Sequence, residues 1–293
     1  MPVPFLLIGA AAAAVIGVGS HLSAKETNEK AEKLYREAEK LYNSSKDELE
    51  RNYELTSKTL EEFKNLKKEI NSTTLQRFIK NWKKIRNSKF IYKEINMVLN
   101  EEILKNSNMS IKNLNEDIYN IVDMGVVAGA GGAAYAIGGF ALPVVAAPVV
   151  LLTAFFADTK AEENYQKAEK KYHEVEIAVE KMNIQIDLYK KINLKTKMFI
   201  KLLRDLNILL LESTVLMENM LKYMDDYLLE NKIFKTQELN LIAFSRALAQ
   251  TVKTVLDTSI IDKNGNIAIG LDSNYETLNS ELITYKEKRK ELL

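Results

Sequence analysis

The chain has no cysteine, only four prolines and eleven glycines, two histidines and almost no net charge. Without cysteine there are no disulfides, no thiolate nucleophile and no Cys-ligated zinc or iron–sulfur centre. Lys and Arg total 41 against 40 Asp and Glu, a net charge of +1 over 293 residues. That balance lacks the basic surplus of a general nucleic-acid binder, and no nucleic-acid partner is expected. Folds built from many strands and tight turns need Gly and Pro throughout. Here Pro2, Pro4, Pro143 and Pro148 all lie in two apolar stretches, as do Gly9, Gly17, Gly19, Gly125, Gly129, Gly131, Gly132, Gly138 and Gly139. Only Gly265 and Gly270 remain for the rest of the chain. Sheets and barrels are thereby excluded, and long uninterrupted helices are expected.

What the chain does have is two segments free of charge. The first runs from Met1 to Ala24. A span needs about 20 apolar residues, so a retained membrane helix fits. A cleaved signal peptide would need a positive n-region, and no Lys or Arg precedes Lys25. A buried helix of a soluble protein is the third reading. The second segment, Met124 to Ala157, has 34 residues without a charge. One straight helix of that length would reach about 51 Å, beyond a hydrocarbon core of about 30 Å. Pro143 and Pro148 also interrupt a helical ladder. A hydrophobic hairpin or tongue is expected, bent around Gly138, Gly139, Pro143 and Pro148. The membrane-inserting positions would be Phe5, Leu6, Leu7, Ile8, Val15, Ile16, Val126, Val127, Tyr135, Ile137, Phe140, Val149, Leu151, Phe155 and Phe156. Small residues recur every fourth position: Gly9, Ala13 and Gly17 in the first segment, then Gly125, Gly129 and Ala133, and Ala128, Gly132 and Ala136, in the second. On a helix they make a groove for close helix packing in lipid, or in a core.

Each apolar segment is followed by heptads. Between Lys25 and Ile70 the seam reads Ala31, Tyr35, Ala38, Tyr42, Ser45, Leu49, Asn52, Thr56, Leu60, Phe63, Leu66 and Ile70, the alternation of threes and fours of a coiled coil. Its polar members favour packing in a bundle over an autonomous zipper. Residues 31–42 and 161–172 share seven of twelve positions, 130 residues apart. Convergent coiled-coil usage or an internal repeat explains this echo. Either way, two long helices are able to lie side by side, each with an apolar element at the same end.

Shorter helices are expected over Ser72–Asp123. Thr73 or Thr74 would cap the first, and Leu75, Phe78, Ile79, Trp82 and Ile85 form its apolar stripe. Lys80, Lys83, Lys84, Arg86 and Lys89 beside Trp82 read as a solvated face or a membrane-surface face. Met198, Leu202, Leu206, Leu209, Leu210, Leu216, Met217, Met220, Leu221 and Met224 suggest the main core, with Met217/Met220/Met224 read as core or as an adaptable partner surface. A further helix starts at Thr236 with Glu238 and runs through Leu256. Asn264-Gly265 predicts a β-hairpin turn over Ser259–Ile269. A last helix runs from Ser273 to Leu293, with Glu276 in a capping box.

The expected fold is all-α. It is an elongated bundle of long antiparallel coiled-coil-like helices with two Gly/Ala-rich membrane segments and one small hairpin. The organisation reads 1–24, 25–123, 124–157, 158–256 and 257–293.

No catalytic, cofactor or metal site is expected. Gly129-Ala-Gly131-Gly-Ala-Ala134 matches a dinucleotide fingerprint but lacks a βαβ context. Glu169 and His173 lie one turn apart, yet two histidines cannot build a helical di-iron set. Asp262, Asn264 and Asn266 start like a calcium loop, but its glycine and bidentate glutamate positions hold Ile267 and Ser273. Asp225-Asp226 follows ordinary helical charge patterning.

The Leu6–Gly19 segment, the Ala-Glu heptads, the central Gly/Ala segment and the Ile260–Ile267 turn together resemble a group of uncharacterised bacterial membrane-associated proteins with glycine zippers and coiled coils. The plan is also similar to the α-helical pore-forming toxins of the cytolysin A and tripartite haemolysin type. That resemblance implies exposure of a hydrophobic head, insertion and oligomerisation. The partners expected are a lipid bilayer, further copies of the chain, and a protein partner on the 192–256 helices. The location expected is the bacterial cytoplasmic membrane, with a secreted form as the second reading. A membrane-anchored scaffold is the alternative function, and a soluble nucleotide-binding enzyme the third.

Overall fold

A computed structural model describes residues 24–85, 161–224, 228–229, 231–262 and 265–292. The described chain is helical, as expected: α1 Ala24–Ser72, α2 Thr74–Ile85, α3 Ala161–Leu221, α4 Thr236–Asp257 and α5 Leu271–Leu292. No Gly or Pro interrupts α1 or α3, so their ladders run 49 and 61 residues. The lengths are about 73 and 92 Å at 1.5 Å per residue.

Between α1 and α2 the hydrogen-bond spacing continues: Thr73 N–H donates to Glu69 O at 2.9 Å, and Arg77 N–H donates to Thr73 O at 3.0 Å. The Ser72 and Thr73 hydroxyls donate to the same Glu69 carbonyl, at 3.1 and 2.6 Å. Such back-bonding draws a carbonyl off the helix axis and bends a helix. The Thr73 hydroxyl therefore reaches backward and does not cap α2.

The described residues fall in two units. Unit 1 holds 24–49 and 161–184; unit 2 holds 50–85 and 185–292. Among the described residues of unit 1, α1 and α3 pair with each other. Asn164 Nδ2 donates to Asn28 Oδ1 at 3.2 Å, and Ala38 packs with Val175 and Val179, flanked by Leu41, Tyr42 and Tyr172. Sequence numbers rise together on the two helices, so they run parallel. In unit 2 the same direction holds. Thr56 Oγ1 donates to Tyr189 O at 3.0 Å, Phe63 faces Phe199, and Asn81 Nδ2 donates to Thr214 O. The antiparallel arrangement expected for the long helices is thus corrected. Among the described helices only α4 opposes the others: Lys67 reaches Thr258 at its end, while Arg246 lies over Trp82. Helix α5 then follows α3, with Lys195–Asp272, Lys286–Asp205 and Arg289–Glu212 in rising order.

The echo segments are not matched to each other. Ala38 meets Val175 where echo alignment would place Ala168. The pair stands one heptad beyond its own repeat. Along α3 the seam at Ala168, Val175, Met182, Tyr189, Thr196, Leu203, Leu210 and Met217 is buried at every seventh residue. That is the period of a left-handed coiled coil.

The expected hairpin is not formed. Among the described residues there is no strand, only one antiparallel bridge between Ile261 and Ile267. Asp262 N–H bonds Asn266 O at 2.8 Å, and Gly265 takes φ +80°. Gly265 takes the positive φ expected of it, Asn264 lies outside the described residues, and the flanks make no ladder: Ile260 and Ile261 turn into the core, and Ile269 stands free in solvent. Helix α5 begins at Leu271, two residues earlier than expected, after Gly270 at φ +76°. The Gly270 carbonyl, not a Ser273/Glu276 box, takes the Asn274 N–H at 3.0 Å.

Candidate functional site

The expected membrane-inserting positions all lie before Ala24 or between Ile85 and Ala161, outside the described residues. The same holds for the small helix-packing residues Gly9, Ala13, Gly17, Gly125, Gly129 and Gly132, and for the bend at Gly138, Gly139, Pro143 and Pro148. Among the described residues no helix is long and apolar enough to cross a membrane. What the structure positions is the frame from which those segments depart.

That frame is clearest at the start of unit 1. The first apolar segment runs directly into α1 at Ala24. The second ends at Ala157, three residues before α3 begins at Ala161. Those residues span at most about 3.6 Å each. Because α1 and α3 are parallel and bonded at Asn28–Asn164, the helix starts that follow the two apolar segments in sequence lie together in unit 1. Tyr165 stands there, its phenol held above its ordinary range by a hydrogen bond to Glu169 and by burial. Tyr35 is raised by burial alone. Glu169 is thus engaged by Tyr165, and His173 Nδ1 lies 3.4 Å from Glu176. Among the described residues no three His, Asp or Glu side chains gather as a metal site.

Unit 2 has a polar interior that hydrophobic periodicity did not reveal. Lys67 is buried, its ammonium donating to Thr258 O at 2.6 Å and lying 4.4 Å from the centre of the Phe63 ring. Burial lowers it to about 8, against the opposing pull of Asp257. Thr251 Oγ1 donates to Glu281 at 2.8 Å and lies 2.9 Å from the Tyr285 hydroxyl. Burial raises Glu281, opposed by that Thr251 bond; burial and then the Glu281 charge push Tyr285 well above the usual phenol range. Arg246 is buried with its guanidinium 5.4 Å from the Trp82 ring centre. These groups tie one helix to another.

The candidate partner residues separate into inside and outside. Met217 is 0% exposed and lies in the core, while Met220 and Met224 are half-buried. Trp82 is also buried. The α2 lysines Lys80, Lys83 and Lys84 are exposed on its other face, so this helix spends its apolar side on the protein interior. A groove of about 450 Å³ between α3 and α5 is lined by Asp205, Ile208, Leu209, Lys286, Arg289 and Lys290. Ion pairs Lys286–Asp205 at 2.8 Å and Arg289–Glu212 at 2.9 Å lie along it.

The connector from α3 to α4 was not singled out by the sequence. It alternates inward and outward residues: Leu229 and Phe234 are buried, while Tyr223, Leu228 and Ile233 are 82%, 52% and 69% exposed. The adjacent pairs Leu228-Leu229 and Ile233-Phe234 are the signal that could have shown it.

Comparison with known proteins adds no relative. No family model, no curated protein and no solved structure matches this chain.

Proposed function

We propose that this is a non-enzymatic, membrane-associated helical protein that inserts the Gly/Ala-rich Met124–Ala157 element and self-assembles. Its strongest form is a pore-forming or membrane-disrupting effector acting at the bacterial cytoplasmic membrane. The observation that carries the reading is the parallel α1–α3 pair. It sets side by side the starts of the two helices that follow the charge-free segments in sequence. Antiparallel helices would have sent them to opposite ends, where one bilayer patch could not receive both beside each other. The small-residue spacing then favours close helix association once in lipid.

Flotation with liposomes and release of a trapped dye test this on the full chain and on a variant lacking 124–157. The full chain is expected to float and to release dye, and the deletion to lose dye release while circular dichroism shows the helices retained. Equal flotation and release by the two proteins, or no lipid binding by either, overturns the proposal. The second reading is a membrane-anchored scaffold that recruits a protein through the 192–256 helices. The exposed connector residues favour it, and it predicts flotation without dye release.

A further inference from the structure

We infer that a second copy of this chain docks along the outer face of α3 in unit 1, parallel and in register; the inference rests on the self-assembly proposed above and names its surface. Helix α3 turns Val175, Ala178, Val179 and Met182 inward, with Val175 and Val179 packed on Ala38 of α1. At 3.6 residues per turn, Ile177 and Ile184 fall on the opposite side, within about 20° of one another. They are 44% and 62% exposed. Glu180 and Lys181, also exposed, stand on the turn between them. One lies on each side of the isoleucine line, about 50° away.

The charges select the occupant. Along this part of α3, Lys171 pairs with Glu174, and His173 lies beside Glu176. Glu180 and Lys181 have no such neighbour. Residues three and four away on a helix are the ones in reach. For Glu180 these are Glu176, Ile177, Asn183 and Ile184; for Lys181 they are Ile177, Ala178, Ile184 and Gln185. Neither makes an ion pair among the described residues. One acid and one base astride an apolar line are complementary to a copy of themselves. In a parallel two-fold pair each isoleucine meets its own counterpart, and Glu180 of each copy faces Lys181 of the other, on both sides of the contact. An antiparallel pair centred on the same turn sets Glu180 against Glu180 and Lys181 against Lys181, which repel. A partner of single charge sign matches one side of the line and is opposed on the other. Glu169, which also holds Tyr165, and Lys170 repeat the arrangement about three turns earlier. A parallel copy also brings its α1 and α3 starts to the same end as the first.

The chain has no cysteine of its own, so single cysteines report the contact. Ile184→Cys on the full chain is oxidised in solution and on liposomes of phosphatidylcholine with phosphatidylglycerol. A disulfide-linked dimer is expected, because in-register positions of facing helices come within the Cα reach of a disulfide, about 7 Å. Ser44→Cys, exposed on α1, is the collision control and should stay monomeric. In the Ile184→Cys background, Glu180→Lys and Lys181→Glu should each lower the dimer yield about tenfold. An equal mixture of the two should restore it, since one copy then carries two bases and the other two acids. Circular dichroism matching the parent shows that neither loss is unfolding. Equal yields from positions 44 and 184 overturn the face, and so does a mixture that stays as low as its components. A disulfide formed only when Ile177→Cys is mixed with Ile184→Cys means an antiparallel contact and overturns the register. Oligomers seen by amine cross-linking without a disulfide at 184 mean that the copies meet elsewhere; this surface then falls and the self-assembly reading stands. Absence of oligomers by both methods overturns both. A cysteine at 184 that resists maleimide in the monomer is covered by another part of the chain, which overturns the proposal as well.

Discussion

Units 1 and 2 share two helices and differ in what lies between them. Unit 1 buries Ala31, Ala38, Ala168, Val175, Ala178, Val179 and Met182, a seam of small side chains between two helices. Unit 2 buries Phe63, Phe78, Trp82, Phe199, Leu203, Leu206, Leu210, Phe244 and Tyr285 among five. In unit 1 the pairs Lys33–Glu37, Arg36–Glu32, Lys171–Glu174 and His173–Glu176 each stay within one helix. In unit 2 Arg77–Glu218, Arg204–Glu62, Lys195–Asp272 and Arg289–Glu212 cross between helices. Burial contributes about 0.8 kcal/mol per CH₂, so an alanine seam gains little and an aromatic core gains much. The difference is one of packing: unit 2 buries large aromatic and aliphatic side chains, and unit 1 brings two helices close along small ones.

The comparison breaks first on direction, where the expected effect is all or none. Ala38→Cys with Val175→Cys should form a disulfide under mild oxidation, read as a mobility shift lost on reduction. Ala38→Cys with Ala168→Cys should not, because one heptad is about 10 Å along the axis and a disulfide tolerates a Cα separation of only about 7 Å. The reverse pattern would mean that the helices align on their echo. The next effect is on stability. Leu203→Ala should cost about 2–5 kcal/mol in urea unfolding, because Leu203 has no exposed surface in the unit 2 core. Val175→Ala, which removes two carbons from the unit 1 seam, should cost about 1.6 kcal/mol. Equal losses would show that unit 1 is as cooperative a source of stability as unit 2.

The helices and their buried faces were legible in the sequence, and their direction was not. The Leu75, Phe78, Ile79, Trp82 and Ile85 stripe is buried at every position, and Ala31, Ala38, Thr56, Leu60, Phe63 and Ile70 fill the predicted seam. A seven-residue period reads the same along either chain direction, so parallel and antiparallel pairing look alike until cross-helix contacts such as Asn28–Asn164 are known. The seam prediction also took Leu66, which is half-buried, over its neighbour Lys67, which is buried. A charge reads as surface in any hydrophobic pattern. Only the Thr258 carbonyl, 191 residues away, shows why a lysine is tolerated inside. The connector escaped because its apolar residues alternate within a short turn, with no helical period to detect.

Lys67 gives the smallest and sharpest expectation. Its ammonium is held at about 8, while an unfolded lysine stays near 10.5. Below about pH 8 both states are protonated, and the cost of burying the charge is fully present. Between pH 8 and 10.5 the unfolded chain binds more protons, so stability rises with pH through that window. The shift corresponds to something on the order of 3 kcal/mol at pH 7. Lys67→Met removes that cost but also the bond to Thr258 O, worth about 1 kcal/mol or somewhat more for a charged donor. A net gain of about 1–2 kcal/mol at pH 7 follows, since replacing a buried charge by an apolar group of similar volume is often stabilising. Tyr189 and Tyr285, both raised by burial, act in the opposite sense once tyrosines ionise in the unfolded chain. The comparison of wild type with variant therefore belongs between pH 8 and 9.5, below most of that titration. Wild-type stability should climb there and the variant's should not. A wild-type curve parallel to the variant's, or a variant less stable at pH 7, would mean that the ammonium pins the end of α4 to α1 by more than its burial costs.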